Sequence, residues 1–135
     1  MPISNNCFQD WSLAAILSSE LTEIDCRNIV SRSYYSAYHA TLCFAEDELN
    51  IPISSTKGST HKKLADMLIA FICDDKDKQK GVRRLGARIG ALHTLRVRAD
   101  YLLDDTISEI DAQSIVRNTG QMIESISSLG QVSAA

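Results

Sequence analysis

A chain of 135 residues with 44% hydrophobic content is long enough to bury a proper core and reads as a single domain over residues 1–135. Its formal net charge of −3 argues against a generic polyanion-binding surface but leaves room for a local basic site. Four scattered cysteines (Cys7, Cys26, Cys43, Cys73) with no Cys-x-x-Cys pair, no secretory leader and no apolar run of spanning length point to free thiols in a reducing cytoplasm and to no membrane contact.

Two prolines, Pro2 and Pro52, and six glycines leave most of the chain free of breakers, and no stretch alternates with period two, so the elements read as helices. The first spans about Phe8 to Ser19, with Trp11, Leu13, Ala14 and Leu17 as apolar positions and Trp11 as a core anchor. Asp25 caps a second, long helix running to about Leu49. Asn50, Pro52 and Ser54-Ser55-Thr56-Lys57-Gly58 make a loop. Ser59 or Thr60 then caps a third helix carrying Leu64, Met67, Leu68, Phe71 and Ile72. Asp74-Asp75-Lys76-Asp77-Lys78 is a solvated turn or first helical turn, and a fourth helix runs on to about Leu103. Ser108, with Asp111 three residues on as a weaker capping box, opens a fifth helix. Its apolar face is Ala112, Ile115, Val116, Thr119, Met122, Ile123 and Ile126. The expected fold is all-α, an antiparallel four-helix bundle with one additional short helix.

The fourth helix carries a charge where its pattern asks for an apolar residue. Leu85, Ile89, Leu92, Ala99 and Leu103 share one face, and Arg96 fills the slot between Leu92 and Ala99. Arginine stays charged at accessible pH and is rarely buried without a partner. Its guanidinium is therefore expected at least half buried, reaching Asp100 or across to Tyr35 and His39. A snorkelling arginine at the edge of a seam is the alternative.

The second helix repeats the pattern. At about 100° per residue, Asn28, Arg32, Tyr35, Ser36, His39 and Cys43 form one stripe, opposite Val30, Tyr34, Ala37, Thr41 and Phe44. That stripe is either solvated or meets Arg96 and Asp100 in a shared polar cleft. In the second case Asp100 answers only one of two arginines, and the leftover positive charge makes an anion site suited to phosphate.

Other features read as structural. Lys57-Gly58-Ser59-Thr60 lacks an upstream glycine or strand and is helix capping rather than a phosphate loop. Three histidines without metal-ligand spacing give no metal site. Arg83, Arg84, Arg88, Arg96 and Arg98 give the fourth helix a basic bias, read as solvated surface with nucleic-acid contact as the alternative. His93 is read as a helix-surface residue.

Ser31-Arg32-Ser33-Tyr34-Tyr35-Ser36-Ala37-Tyr38-His39-Ala40 is similar to the Arg-x-Tyr-Tyr-x-Ala-x-x-Ala segment of small stand-alone prokaryotic HEPN-domain proteins. Gly58-Ser59-Thr60-His61-Lys62-Lys63-Leu64 resembles their Thr/Ser-His element at the head of the third helix. Leu95-Arg96-Val97-Arg98-Ala99-Asp100-Tyr101 resembles their Arg-x-x-Ala-Asp-Tyr signature, and the three segments occur in the family's order. The resemblance implies a helical bundle that dimerises through the polar segments of its long helices. It also implies a nucleotidyltransferase-type partner in a toxin–antitoxin or defence pair, and RNA or a nucleotide as ligand, with no cofactor. Ligand contacts would fall on Tyr35, His61, Arg98, Asp100 and Tyr101.

The family's nuclease motif is an arginine followed, after four to six intervening residues, by a histidine. Arg96 matches the arginine, but Tyr101 stands where the histidine falls. A tyrosine with an ordinary pKa near 10 cannot replace imidazole as a base at neutral pH without a large shift. Arg32 and His39 meet the bare spacing on the second helix, about 10 Å apart along its axis. With Tyr35 and Arg96 they would supply a base and cations for metal-independent RNA cleavage, doubled across a dimer axis. The catalytic candidates are thus Arg96, His39 and Arg32. The alternative is a non-catalytic HEPN module that dimerises and docks its partner.

Overall fold

A computed structural model describes residues 4–18, 20–55 and 57–134, with side chains described through residue 130. Five helices build it: α1 (Asn5–Ala15), α2 (Glu23–Cys43), α3 (Thr60–Ile69), α4 (Lys76–Tyr101) and α5 (Glu109–Ala134). No strand occurs among the described residues, so the all-α class read from the sequence holds. No helix among them is long and apolar enough to cross a membrane. The four cysteines are free thiols.

Side-chain caps set the helix starts. The α2 cap is Thr22 rather than Asp25: the Asp25 amide donates to Thr22 Oγ1 at 3.3 Å, and the Asp25 carboxylate accepts from the Thr22 amide at 3.0 Å. Asp25 is the third residue of that capping box, satisfying two otherwise orphaned amides with its partner. Ser108 and Asp111 form the same box before α5, at 2.9 and 3.1 Å. Asp75 caps α4 by accepting from the amides of Asp77 and Lys78. Before α3, Gly58 takes φ +106, in the left-handed region where a side chain would be strained, and Ser59 is the extended cap residue.

The long second helix runs past Cys43 into a π turn, Phe44–Glu48, where the Leu49 amide donates to the Phe44 carbonyl at 3.2 Å. Asn50, at φ 57, ends it with a conformation that asparagine tolerates.

Helix α2 packs against α1, α4 and α5, while α3 lies on α4. Its inward face is Val30, Tyr34, Ala37, Thr41 and Phe44, all buried as the periodicity predicts. They meet Leu64 and Leu68 of α3, Val82, Leu85, Ile89 and Leu92 of α4, and Ile115 and Met122 of α5. Gly86 marks where α3 lies against α4: a Cβ there would sit 2.7 Å from the Ile69 nitrogen and 2.9 Å from the Ala65 oxygen.

Several apolar positions depart from expectation. Trp11 is 48% exposed and Leu17 84% exposed, so Trp11 is no core anchor. Helix α1 ends at Ala15, and Ser19, its expected end, lies outside the described residues. Ile72 and Leu103 are exposed because α3 stops at Ile69 and α4 at Tyr101.

The stop at Tyr101 has a physical cause in Arg27, a buried residue of α2. Its guanidinium donates to the carbonyls of Ala99 at 2.9 Å, Arg98 at 3.2 Å, Leu102 at 3.4 Å and also Asp105, and it pairs with Glu23 at 3.0 Å. One fixed fork of donors thus satisfies the orphaned carbonyls at the end of a neighbouring helix.

Candidate functional site

Arg96 projects from α4 toward α2, with its side chain 12% exposed. Its Nε donates to Asp100 Oδ2 at 2.8 Å, and a terminal nitrogen donates to the Tyr35 hydroxyl at 2.7 Å. The expected partners Asp100 and Tyr35 are therefore the ones found, whereas no contact reaches His39. Ser31 donates to the same Asp100 oxygen at 3.1 Å. The guanidinium carbon lies 5.2 Å from the Tyr35 ring centroid, 5.3 Å from that of Tyr101 and 5.9 Å from that of Tyr34, within cation–π range of all three.

Two histidines complete the cluster. His61, in the first turn of α3, stacks on His93 of α4 with centroids 5.2 Å apart and rings 10° from parallel. Tyr34 Oη and His61 Nδ1 are 2.6 Å apart, and the Tyr34 ring also packs 5.6 Å from His93. Tyr34 is fully buried, and that burial pushes its phenol far above the ordinary tyrosine range. It stays protonated. Burial also lowers the pKa of His61, helped by His93, Arg96 and His39 nearby. His93 is lowered by burial and then by Arg96. The positive end of α3 acts on His61 in the same sense. Both imidazoles are therefore neutral at pH 7, the form in which a histidine accepts a proton.

His93 was read as surface and is instead part of the site. Spacing alone puts His93 one turn before Arg96 on the same helix face, but does not show the His61 ring that covers it. Tyr34 and Ser31 also join the site from α2, though only the motif segment pointed to them.

Other residues named from the sequence stand apart. Arg32 is exposed and makes no ion pair or hydrogen bond among the described residues. It does not face Arg96, so the second positive charge foreseen for a shared cleft is missing and Asp100 balances Arg96. The reason is the helical phase: Arg32 and His39 sit on the outward side of α2. His39 is exposed, and its ring lies beside those of Tyr35, Phe8 and Tyr38. Arg98 turns away to Asp105 at 3.2 Å and the Thr106 carbonyl at 3.3 Å, where it ties down the loop after α4. Tyr101 is 64% exposed and covers the outer side of the Arg96 guanidinium.

The result is a partly covered cluster with an aromatic apron. No group of three or more His, Cys, Asp or Glu side chains suited to a metal occurs among the described residues. No family model, curated protein or solved structure matches the chain, so its functional reading rests on these residues.

Proposed function

We propose that the chain is a HEPN-type effector of a prokaryotic toxin–antitoxin or defence pair, folded as that family's antiparallel four-helix bundle with one short helix. It acts in the cytoplasm as a homodimer that binds RNA or a nucleotide and is associated with a nucleotidyltransferase-type partner. The observation that carries this reading is Arg96, held by Asp100 and Tyr35 beside the neutral, stacked His61–His93 pair.

These groups supply the parts of a metal-independent RNA cleavage. His93 takes the proton from a ribose 2′-hydroxyl, whose oxygen attacks the adjacent phosphorus as the bond to the 5′-oxygen breaks. The departing 5′-oxygen takes that proton from the His93 imidazolium, so one proton passes from the 2′-oxygen to the 5′-oxygen and His93 ends neutral, while protonated Tyr34, 2.6 Å from His61 Nδ1, holds that ring against His93. The products are a 2′,3′-cyclic phosphate and a 5′-hydroxyl. Arg96 stabilises the charge on the non-bridging oxygens. Exposed Tyr101 and His39, with half-buried Tyr35 and Phe8, offer faces for unpaired bases.

The test is incubation of the purified protein with short single-stranded RNA in the presence of a chelator. Cleavage with cyclic-phosphate ends is expected, and it is lost in Arg96→Ala and in His93→Gln. Full activity in His93→Gln would overturn the assignment of the base. A wild-type protein that neither binds nor cuts RNA nor binds a nucleotide would overturn the reading.

A non-catalytic HEPN docking module is the second reading. It is favoured by the charge balance of Arg96 with Asp100 and by the lack of any histidine after Arg96. Dimerisation and partner binding that survive Arg96→Ala, with no RNA cleavage by the wild type, would select it.

A further inference from the structure

We propose a second ligand site, separate from the Arg96 cluster, in the cleft between α4 and α5. Its ligand is a phosphate-bearing small molecule of mononucleotide size. The cleft is an open groove of about 510 Å³, within the size range of small-molecule sites.

Its α4 wall carries Arg84 and Arg88. They stand one turn apart on one helix face, where like charges repel. Neither makes an ion pair or hydrogen bond among the described residues. Two arginines that line one cleft without a carboxylate partner among the described residues are suited to bidentate recognition of a phosphate.

The opposite wall is Glu124, Ser125 and Ser128 of α5, which offer an acceptor for an amino group and partners for hydroxyls. Leu85 and Leu129 add an apolar base against which a ring can lie. Gly81 sets the geometry of this end, since a Cβ there would come within 2.9 Å of Leu129 Cδ2. Bare phosphate would leave the apolar base and Glu124 unused. A continuous polyanion would have to carry its phosphates past that carboxylate. A second cleft, of about 440 Å³, is lined by Asp47 and Glu48 with no cation and repels the same ligand.

The experiment is calorimetric titration of the full chain carrying Arg96→Gln, so that nucleotide binding at the Arg96 cluster does not contribute. The probes are adenosine 5′-monophosphate, inorganic phosphate and adenosine, each alone. We expect saturable binding of the monophosphate at one site per chain, tighter than either fragment. Adding Arg84→Gln and Arg88→Gln should weaken it by about tenfold or more, with an unchanged circular dichroism spectrum. If that variant fails to fold, Glu124→Gln serves instead and should tighten inorganic phosphate by about threefold; no tightening would count against the site. No saturable binding of the monophosphate overturns the proposal. Equal affinity for inorganic phosphate reduces the site to an anion site and overturns the mononucleotide assignment. A short single-stranded RNA that binds through Arg84 and Arg88 when the monophosphate does not would assign the cleft to RNA instead.

Discussion

At Arg96, one carboxylate and one phenol hold a side chain that is mostly out of water. The carboxylate of Asp100 is 27% exposed and keeps its bond from Ser31, so removing the arginine does not strand a buried charge. For a covered ion pair the desolvation cost offsets much of the attraction, so an apolar replacement is often near neutral, and a methionine can occupy the same slot among the tyrosine rings. Arg96→Met should therefore shift stability by less than about 1 kcal/mol while lowering RNA cleavage by about a hundredfold or more. Urea unfolding beside a cleavage assay measures both, and unchanged cleavage would remove Arg96 from the site.

The histidine pair gives a pH signature. Both folded values lie below the ordinary 6.5, so the unfolded chain binds more protons as pH falls past about 6.5. The stability these residues contribute is complete above that pH and is lost as pH drops through the lowered folded values. Urea midpoints should fall between pH 7.5 and 5.5, and fall less in His61→Gln/His93→Gln. An equal fall in both proteins would mean that the pair is not held neutral.

Arg96 was legible because one charge broke an apolar stripe. His93 was not, because partly covered and solvated histidines look alike on a helix until the opposing His61 is placed.

Local rules carried the elements further. The Ser108–Asp111 box and the inward face of α2 both follow from residue type and spacing. The helix ends and α1 did not, because each depends on a distant neighbour. Leu103 continues the stripe of α4 in sequence, yet the helix stops before it, where Arg27 of α2 takes the terminal carbonyls. Trp11 fits a core position by pattern, but α1 buries Ser12 most deeply and leaves the indole half in water. Arg27 itself looks like any surface arginine in an i, i+4 pair with Glu23. Arg27→Met should keep much of the packing but leave the buried Ala99 carbonyl and its partly covered neighbours without their donor, lowering stability by about 1–3 kcal/mol. It should also raise amide exchange in the last turn of α4 selectively. A loss below about 0.5 kcal/mol, the usual limit for a surface substitution, would show that the carbonyls find water instead.

For the whole molecule, the faces left uncovered frame the proposed dimer. The accessible surface is 7845 Å², and a standard interface takes about 800 Å² from each partner, roughly a tenth of it. One exposed set is His39 and Tyr101, which lie against Tyr35 and Arg96 respectively, with Arg32 exposed on the same helix as His39. Another, at the opposite chemical extreme, is exposed Ile24, Leu102, Leu103 and Ile110, at the start of α2, just past the end of α4 and at the start of α5. The proposed two-fold axis runs through the first, because isologous contact there doubles Arg32 and His39 beside two Arg96 clusters and supplies the cations that one copy lacks. Light scattering at about 10 μM, near the range of a standard interface of modest affinity, should give twice the chain mass. Arg32→Glu together with His39→Glu should return the protein to monomer, since two carboxylates from each copy would then face their symmetry mates. Leu103→Lys should leave the dimer intact. A dimer that resists the first pair and is broken by Leu103→Lys would move the axis to the apolar end, leaving the Arg96 cluster to act as a single copy with no second cation.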